Sequence, residues 1–597
     1  MCGIHVSISR NGLQTPSQEL EDLLCKRGPD YTGKCHLEIG EPKPSHFISV
    51  TSTVLALRGG SVARQPFVDQ GTGSILCWNG EVWKLGQSAL EGGNDGQVLF
   101  DRLVAAAAID LHGEPSAVVE VLNSISGPFA FVFLDKLHSQ IFFGRDCLGR
   151  RSLLHKSSLG YIEFASTSDF AEAQWEEVEA DGIYMITYID PLKTTGTDSL
   201  SSQAVSSPFP VRRFPWNDGA GVSLGVFNRG VATKPPALTL DTGSVLALWD
   251  HLRDSLKLRI LNIPEPPAAT TGNTTRVAIL FSGGLDCTVL ARIAHDILPH
   301  DQDIDLINVA FENPRVVAAA NKPIKVSKKR QGRAIGSNLG TKNYITPNEE
   351  LEAKTLKATE VGPFELCPDR ETGRKAFLEL GEVCPHRTWR FIAVDIPYTE
   401  TRAHKDQVIG LIHPHNTEMD LSIAFALYFA SRGTGTAISN ADRTPSAYTT
   451  PARVLLSGLG ADELFGGYGR HHVAFERTGF SGLLDELELD VNRLGKRNLG
   501  RDDRVISHWG KEARFPYLDE SLVKWAVRCP IEEKCGFRIE KSEPETPYLE
   551  SDKKVLRLLA YKLGMQSVAQ EKKRAIQFGA RTAKMEVGST KGTTLIS

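Results

Sequence analysis

A cysteine stands at position 2, directly behind the initiator methionine. Removal of that methionine would place the Cys2 thiol beside its own α-amine. An α-amine has a pKa of about 8, so it can accept the thiol proton near neutral pH. Cys2 is therefore a candidate nucleophile that carries its own general base. The position alone is weak evidence, because most free cysteines are structural.

A second candidate for chemistry is the run Ser-Gly-Gly-Leu-Asp at residues 282–286, between a predicted strand and a predicted helix. Two glycines let the backbone approach a phosphate closely, and a helix N terminus adds N–H groups and a positive dipole. No Gly-Lys-Ser/Thr follows, so this is not a Walker A loop. The alternative is an ordinary tight turn. We expect a phosphate-binding loop in which Asp286 holds Mg²⁺.

Alternating strands and helices must position this loop. The apolar run 276–281 predicts a buried strand, followed by a helix over 287–297 and a strand over 304–311, which is a βαβ unit. A further apolar strand, 453–456, also ends in a Ser-Gly pair. Two strands that end in such loops predict one site at the carboxyl edge of a doubly wound parallel sheet.

The N-terminal part of the chain is predicted to be rich in β-strands. Residues 74–78 form a short strand, and residues 129–134 and 140–143 form a hairpin. A helix over 99–108 lies between them in sequence.

The composition resembles that of an average globular protein, with 41% hydrophobic and 23% charged residues and a net charge of −4. The low charge argues against nucleic-acid binding. No apolar stretch approaches the roughly 18–20 residues that span a membrane. At about 150 residues per domain, the 597 residues allow two to four domains. We expect a cytoplasmic protein with no nucleic-acid or membrane partner.

Short motifs follow Cys2 in a fixed order. They are Cys2-Gly3-Ile4, Arg27-Gly28-Pro29-Asp30, Leu57-Arg58-Gly59, Asn79-Gly80-Glu81-Val82, Asn94-Asp95-Gly96-Gln97 and Gly144-Arg145-Asp146. This set resembles the class II glutamine amidotransferases, which are N-terminal-nucleophile (Ntn) glutaminases. The resemblance covers about residues 2–170 and implies an αββα sandwich of the Ntn-hydrolase type.

The resemblance also implies roles for these residues. Cys2 would attack the side-chain amide of glutamine, while the Asn79 side chain and the Gly80 N–H hold the oxyanion. Four residues would bind the glutamine, namely Arg58, Asn79, Glu81 and Asp95. Arg58 would pair with the α-carboxylate, and the two acids would meet the α-ammonium. Each residue alone fits a turn or a surface charge equally well; their combination favours the glutaminase.

Residues 243 to about 580 resemble the asparagine synthetase domain, an ATP pyrophosphatase, most strongly over 455–468 and 510–519. The resemblance implies that ATP and pyrophosphate contact Leu280, Ser282, Gly283, Gly284, Leu285, Asp286, Ser457 and Gly458. Asp286 and Asp462 would share Mg²⁺, and Lys573 would stabilise the developing phosphate charge.

Two positions depart from the synthetase pattern. Leu459 stands where the family has a glutamate that is thought to act during ammonia addition, and Asp420 aligns with an arginine that helps to hold pyrophosphate. Leu57-Arg58-Gly59 and Arg470-His471 resemble a divergent group, the asparagine synthetase domain-containing protein 1 family.

These features predict an α/β protein with two catalytic-type domains. The glutaminase domain spans 2–190, a linker or insertion 191–242, the synthetase-like domain 243–585, and a disordered tail 586–597. Within the second domain, residues 432–452 are expected to form a polar loop. The basic stretch 321–333 could contact phosphates, but a solvated mobile loop is favoured because no aromatic residues are interleaved.

The leading hypothesis is a glutamine-hydrolysing, ATP-dependent amidotransferase of the asparagine synthetase type. It would convert aspartate, glutamine and ATP into asparagine, glutamate, AMP and pyrophosphate, with a homodimer as a possible assembly. One alternative is the same chemistry on another carboxylate acceptor, which Leu459 favours. Another is a catalytically impaired scaffold or binding protein. Amidotransferases that make glucosamine phosphate or phosphoribosylamine are disfavoured, because they lack a loop like residues 282–286.

Overall fold

The structure is a computed structural model. It describes residues 2–40, 43–90, 92–109, 113–169, 174–188, 209–216, 224–232, 237–266, 275–320, 362–537, 548–585 and 591–596. The basic stretch 321–333 lies outside the described residues.

Two six-stranded antiparallel sheets form the N-terminal unit. Their strands, with those of a small third sheet, are β1 Gly3–Ser9, β2 Tyr31–Ile39, β3 His46–Val54, β4 Phe67–Val68, β5 Ile75–Gly80, β6 Lys84–Leu85, β7 Ser88–Ala89, β8 Ile125–Ser126, β9 Phe129–Asp135, β10 Gln140–Arg145, β11 Leu154–Ser158, β12 Tyr161–Ala165, β13 Glu176–Glu177, β14 Gly182–Thr187 and β15 Val211–Pro215. The strand orders are β13-β11-β12-β1-β3-β2 and β15-β14-β10-β9-β5-β4. The small sheet is β7-β6-β8. The helices are α1 Gln18–Arg27, α2 Asp95–Ile109 and α3 Ser116–Asn123.

The alternation of side chains along β9 shows how the layers are built. Ala130, Val132 and Leu134 lie in the core between the two sheets. The three intervening phenylalanines, 129, 131 and 133, lie in a second core beneath α2 and α3, as the period of two in a strand requires. Leu20 and Leu24 of α1 pack against the first sheet on its other face. The predicted αββα sandwich is confirmed, as is the predicted hairpin of β9 and β10.

A seven-stranded sheet organises the second unit. Its strands are β16 Val277–Leu280, β17 Ile304–Phe311, β18 Trp389–Ile396, β19 Thr434–Ser439, β20 Ser446–Thr449, β21 Val454–Leu456 and β22 Glu512–Arg514. The order is β20-β19-β18-β17-β16-β21-β22. Strands β18, β17, β16, β21 and β22 are parallel neighbours, so the predicted parallel sheet is confirmed.

Helices flank this sheet. They are α4 Gly243–Ile260, α5 Leu285–Ile297, α6 Pro314–Ala320, α7 Pro368–Val383, α8 Tyr398–Ala403, α9 Lys405–Ile412, α10 Glu418–Arg432, α11 Ala461–Phe465, α12 Gly469–Arg497, α13 Leu499–Ser507, α14 Glu520–Arg528, α15 Lys554–Lys562, α16 Gln566–Gln570 and α17 Ile576–Gly579, with 3-10 turns at Pro516–Leu518 and Ile531–Glu533. Helix α12 contains a break at Gly479, whose φ is 67°. No helix in the described part of the chain is long and apolar enough to cross a membrane.

Three segments differ from their predictions. The expected polar loop 432–452 contains the antiparallel hairpin β19–β20, whose exposed residues hide it from a search for apolar strands. The segment 191–242, expected to be a linker or an insertion, contains β15, which pairs with β14 and extends the first unit.

The tail is the third difference, because residues 591–596 of the predicted disordered segment 586–597 are docked. The backbone N–H groups of Glu418 and Met419 donate to Thr594 O at 2.9 Å and Gly592 O at 3.0 Å. These donors belong to the first turn of α10, where a helix has no internal partners for its N–H groups. Composition cannot reveal such a backbone contact.

Candidate functional site

The first site is built where the two sheets of the sandwich meet. Cys2 directly precedes β1, a central strand of one sheet, and Asn79 lies near the end of β5 in the other. The backbone nitrogen of Cys2 donates to Asn79 Oδ1 at 2.9 Å. Burial raises the pKa of the Cys2 thiol. After removal of Met1 the same nitrogen would be the α-amine, so Asn79 orients the group expected to take the thiol proton.

Asn79 has a second feature that matters for catalysis. Its side chain is fully buried, and its Nδ2 has no hydrogen-bond partner among the described residues. Buried donors are almost always satisfied, so an unmade bond here is a donor available to a ligand. Gly80 follows it, and a Cβ there would lie 2.4 Å from Pro128 O. Only glycine therefore fits this end of β5.

Gln65 is a residue of this site that the sequence did not reveal. Its Nε2 lies 3.6 Å from Cys2 Sγ, and its Oε1 accepts a hydrogen bond from Trp78 N at 2.9 Å. Gln65 thus ties the nucleophile to β5. It stands in no recognisable motif, and only the folding of distant segments brings it there.

The predicted glutamine-binding side chains form one cluster. Arg58 donates to Val82 O at 2.8 Å and to Leu90 O, and its Nη1 lies 3.6 Å from Glu81 and 3.9 Å from Asp95. Asp95 in turn accepts from Val82 N at 2.6 Å. Burial raises the pKa of Asp95, and Arg58 opposes that shift. The structure brings all four predicted residues, including Asn79, to one region.

The second unit contributes to this cluster through Arg514. Arg514 lies on β22 and donates to Glu81 at 3.1 Å and to Glu512 at 2.6 Å. All three side chains are buried. Burial raises the pKa of Glu81, and Arg514 is the main group that opposes it. Buried charges need such partners, so the glutaminase cluster is incomplete without the second unit.

The same strand reaches the second site. Ser457 follows β21, and its N–H donates to Arg514 O at 3.0 Å. Arg514 therefore contacts Glu81 with its side chain and the second Ser-Gly loop with its backbone. The two candidate sites share this strand as a common wall.

The phosphate loop follows β16 as predicted and leads into α5. Gly283 has a φ of 78°, and a Cβ there would lie 2.4 Å from the backbone of Gly373 in α7. A Cβ on Gly458 would lie 2.8 Å from Asp286 Cβ. Both glycines are required sterically, and the two Ser-Gly loops are in contact.

Four charged side chains converge beside these loops. Lys553 Nζ lies 2.8 Å from Asp286 and 2.9 Å from Asp462. Lys573 Nζ lies 2.9 Å from Asp462 and 3.9 Å from the centre of the Tyr468 ring. Both lysines hold the pKa of Asp462 well below its usual range, against the effect of burial. Lys573 therefore lies where the sequence placed it.

Lys553 was not predicted. It lies in the run Asp-Lys-Lys at 552–554, which matches no motif, and it adopts a left-handed conformation with φ of 51° just before α15. A non-glycine residue in that conformation is uncommon. Its conformation and its ion pairs with both aspartates make Lys553 a candidate site residue.

The two aspartates fit a magnesium ion. Their carboxylates converge on one cation, the Lys553 ammonium. Mg²⁺ prefers carboxylate oxygens and is commonly bound by one or two carboxylates together with substrate phosphates. No group of three or more His, Cys, Asp or Glu side chains with metal-site geometry occurs in the described part of the chain. This donor set therefore suits Mg²⁺ bound together with a nucleotide.

A cavity of about 440 Å³ joins these groups, which is a usual size for a small-molecule site. Of the predicted nucleotide and metal residues, all except Gly283 line it. Asp369 of α7 also lines it, with Gly579 packed against its carboxylate. Burial raises the pKa of Asp369 to about 7. No motif in the sequence marks this residue.

Comparison with known proteins agrees with this division. The glutamine amidotransferase domain family matches residues 1–200, and the asparagine synthase family matches residues 481–592. Asparagine synthetase domain-containing protein 1 of Bos taurus is 31% identical, over 99% of this chain and 97% of its own. The chain belongs to the asparagine synthetase domain-containing protein 1 family.

More distant similarities extend to a viral protein and a solved structure. A probable glutamine-hydrolyzing asparagine synthetase of Acanthamoeba polyphaga mimivirus is 25% identical, over 88% of this chain and 78% of its own. The structure of glutamine phosphoribosylpyrophosphate amidotransferase from B. subtilis, at 14% identity, covers 52% of this chain and 82% of that one with a TM-score of 0.25.

The two departures noted in the sequence have structural counterparts in this family member. Leu459 lines the cavity and packs partly against the apolar core. Asp420 is paired with Arg501 at 2.6 Å. A guanidinium therefore lies beside the position where the synthetase pattern has an arginine. The buried acid Glu463 also lines the cavity and accepts from Tyr468 OH at 2.6 Å.

Proposed function

We propose that this protein hydrolyses glutamine and uses the ammonia in an ATP-dependent amidation of a carboxylate. The observation that carries the proposal is the arrangement at Asn79. Its Oδ1 holds the Cys2 nitrogen, and its buried Nδ2 has no partner in the described part of the chain. One side chain thus serves both the base and the oxyanion, as an Ntn glutaminase requires.

The first half-reaction releases ammonia. The Cys2 α-amine takes the thiol proton, and the sulfur attacks the side-chain amide carbon of glutamine. The oxyanion accepts a hydrogen bond from Asn79 Nδ2. The carbon–nitrogen bond then breaks, the α-amine returns the proton to the leaving ammonia, and water hydrolyses the thioester to glutamate. Arg58 and Asp95, held 3.9 Å apart, present opposite charges to the two ends of the amino acid backbone.

The second half-reaction consumes ATP. An acceptor carboxylate oxygen attacks the α-phosphorus, and the bond to the β-phosphate breaks and releases pyrophosphate. Ammonia then attacks the acyl carbon, loses a proton to solvent, and expels AMP. Asp286 and Asp462 would hold Mg²⁺, which neutralises phosphate charge when bound. Lys553 and Lys573 supply further positive charge from positions already fixed against these aspartates.

Aspartate is one candidate acceptor, and another carboxylate is the second. Leu459 favours the second, because its apolar side chain lines the cavity next to Gly458 and cannot exchange protons. The chemistry of adenylation and amidation is the same in both cases.

Glutamate release from glutamine and AMP release from ATP test the two half-reactions separately. We expect wild-type protein to release glutamate, and Cys2→Ala to abolish the release. AMP should form only when the correct carboxylate is added. Glutamate release that survives Cys2→Ala would contradict the glutaminase assignment. Absence of both ATP binding and AMP formation with every acceptor would favour a binding protein.

A further inference from the structure

Three cations that line the cavity come from segments far along the chain from the phosphate loop. We call them the cationic rim and define it as Arg493, Arg497 and Lys572. Arg493 and Arg497 lie four residues apart on α12, so they share one face of the helix. Lys572 belongs to the segment before α17. All three side chains are exposed, and all three line the cavity described above.

None of these three cations has an ion-pair or hydrogen-bond partner among the described residues. The other cations around the cavity are occupied. Arg470 is 2.5 Å from Asp490, Arg501 is 2.6 Å from Asp420, and Lys573 is 2.9 Å from Asp462. Among the described residues, the positive charge of the rim is therefore not neutralised by a neighbouring side chain.

The nucleotide already has its own partners elsewhere in the cavity. The backbone of residues 282–286 and the two lysines at 553 and 573 supply the positive ends that a triphosphate needs. The acceptor must approach the α-phosphorus from a part of the cavity that these groups do not occupy. Leu459, Arg493 and Arg497 also line the cavity and belong to none of these groups.

The charge of the rim limits which acceptor fits. Unpaired guanidinium groups bind carboxylates in a bidentate fashion and repel an ammonium. Two acids that also line the cavity already have partners, since Asp490 bonds His471 at 2.8 Å and Asp502 bonds Arg501 at 2.7 Å. A free α-ammonium at the rim would therefore meet three cations, while Asp490 and Asp502 are already bonded to other side chains.

We propose that the acceptor is a polycarboxylate. One carboxylate reaches the nucleotide and is amidated, and at least one further carboxylate is bound by Arg493, Arg497 and Lys572. This inference rests on the proposed function and specifies the substrate class of the same site. The apolar Leu459 would face the carbon skeleton between the two carboxylates.

A series of acceptors with increasing charge tests the proposal. Propionate, glutarate and tricarballylate offer one, two and three carboxylates on short carbon chains, and aspartate adds an ammonium. We expect kcat/KM for AMP formation to rise about tenfold with the second carboxylate, the effect of one good charge-assisted contact. We expect aspartate to fall below glutarate. Equal rates for propionate and glutarate would overturn the proposal.

The double variant Arg493→Gln/Arg497→Gln should remove this preference. We expect it to raise KM for tricarballylate about tenfold and leave kcat, ATP affinity and glutamate release unchanged. Lys496→Gln is the matched control, because Lys496 lies on the same helix but pairs with Glu179 at 2.9 Å and does not line the cavity. An equal loss of ATP affinity with every acceptor would instead assign the rim to the nucleotide and overturn the proposal.

Direct binding separates this proposal from the proposed function. If no acceptor yields AMP, the proposed function fails. Calorimetry with tricarballylate, on protein carrying a non-hydrolysable ATP analogue, then judges the rim alone. Binding weakened by the double variant and unaffected by Lys496→Gln would support an anion site. Equal binding by all three proteins, or none, would reject it.

Discussion

The two candidate sites hold their charges in opposite ways. In the glutaminase site, Glu81, Arg514 and Glu512 are buried side chains that neutralise one another. In the synthetase site, Lys553 and Lys573 bind Asp286 and Asp462 at the wall of an open cavity. In the described part of the first site, the Asn79 Nδ2 donor remains unpaired. The second must exchange its internal ion pairs for a nucleotide and its metal.

This contrast follows from the two folds. In the glutaminase site, Cys2 and Asn79 lie at the ends of strands in two packed antiparallel sheets, which fix them by register. The synthetase residues come from the ends of parallel strands and from segments that return to them, such as 553 and 573. Variants should therefore affect the two half-reactions independently, except at Arg514.

The largest effect is expected for Cys2→Ala. Without the sulfur there is no acyl-enzyme, so glutamate release should fall by at least about 10⁴-fold. AMP formation with added ammonium chloride should be unchanged, because Cys2 does not line the nucleotide cavity. Both rates can be followed in one coupled assay. A parallel loss of ammonia-dependent AMP formation would mean that the sites are not separable.

Lys553→Met should have the opposite effect: AMP formation should fall while glutamate release is retained. The substitution leaves two carboxylates facing each other and removes a cation from the phosphates, so AMP formation should fall about 10³-fold. Glutamate release should stay within about twofold of wild type. Lys562→Met is the control, because that lysine is half-exposed and lies on α15 near Asp241. Unchanged AMP formation would remove Lys553 from the site.

Asn79→Ala should have a smaller effect on the glutaminase. Loss of one oxyanion donor typically lowers kcat by about 10²–10³-fold. The effect should appear in kcat more than in KM, because the donor acts on the transition state. Steady-state kinetics on glutamine measure both. A change confined to KM would assign Asn79 to substrate binding alone.

Asp369→Asn should give the smallest effect, on stability. Burial raises the pKa of this acid to about 7, and Arg574 is the cation that opposes the shift. When folding raises the pKa of an acid, the protein loses stability as the pH rises from the unfolded-state pKa of that acid towards its folded-state pKa, here about 7. The asparagine variant lacks this loss, so it should gain about 3 kcal/mol over wild type between pH 4.5 and 8.

Urea unfolding at the two pH values measures that difference. The prediction fails if the urea midpoints of wild type and Asp369→Asn differ by the same amount at both pH values. The comparison requires reversible unfolding, which a refolding trace can establish at each pH.

The sequence predicted most of what depends on local pattern and ordered motifs. The apolar strands at β16, β17 and β21 have lengths and flanking loops typical of a parallel sheet, and the structure contains them. The hairpin β19–β20 was missed because half of its strand residues are exposed and most are small or polar. Its stability comes from pairing with β18, which no local pattern records.

The site residues also divide into those that stand in sequence motifs and those that do not. Cys2, Asn79 and Asp286 stand in motifs, so their types and order could be recognised. Gln65 and Lys553 reach the sites only through long-range folding. The network through Arg514 joins residues more than four hundred positions apart in the chain. Such contacts cannot be inferred from one sequence.

Isotope transfer tests the central claim that the two half-reactions are coupled. Protein with ATP, Mg²⁺, [amide-¹⁵N]glutamine and the carboxylate series should place ¹⁵N in the amide of one acceptor, with one AMP per amide. The product can be measured by mass spectrometry. Glutamate and AMP that accumulate without any ¹⁵N-amide product would contradict the account.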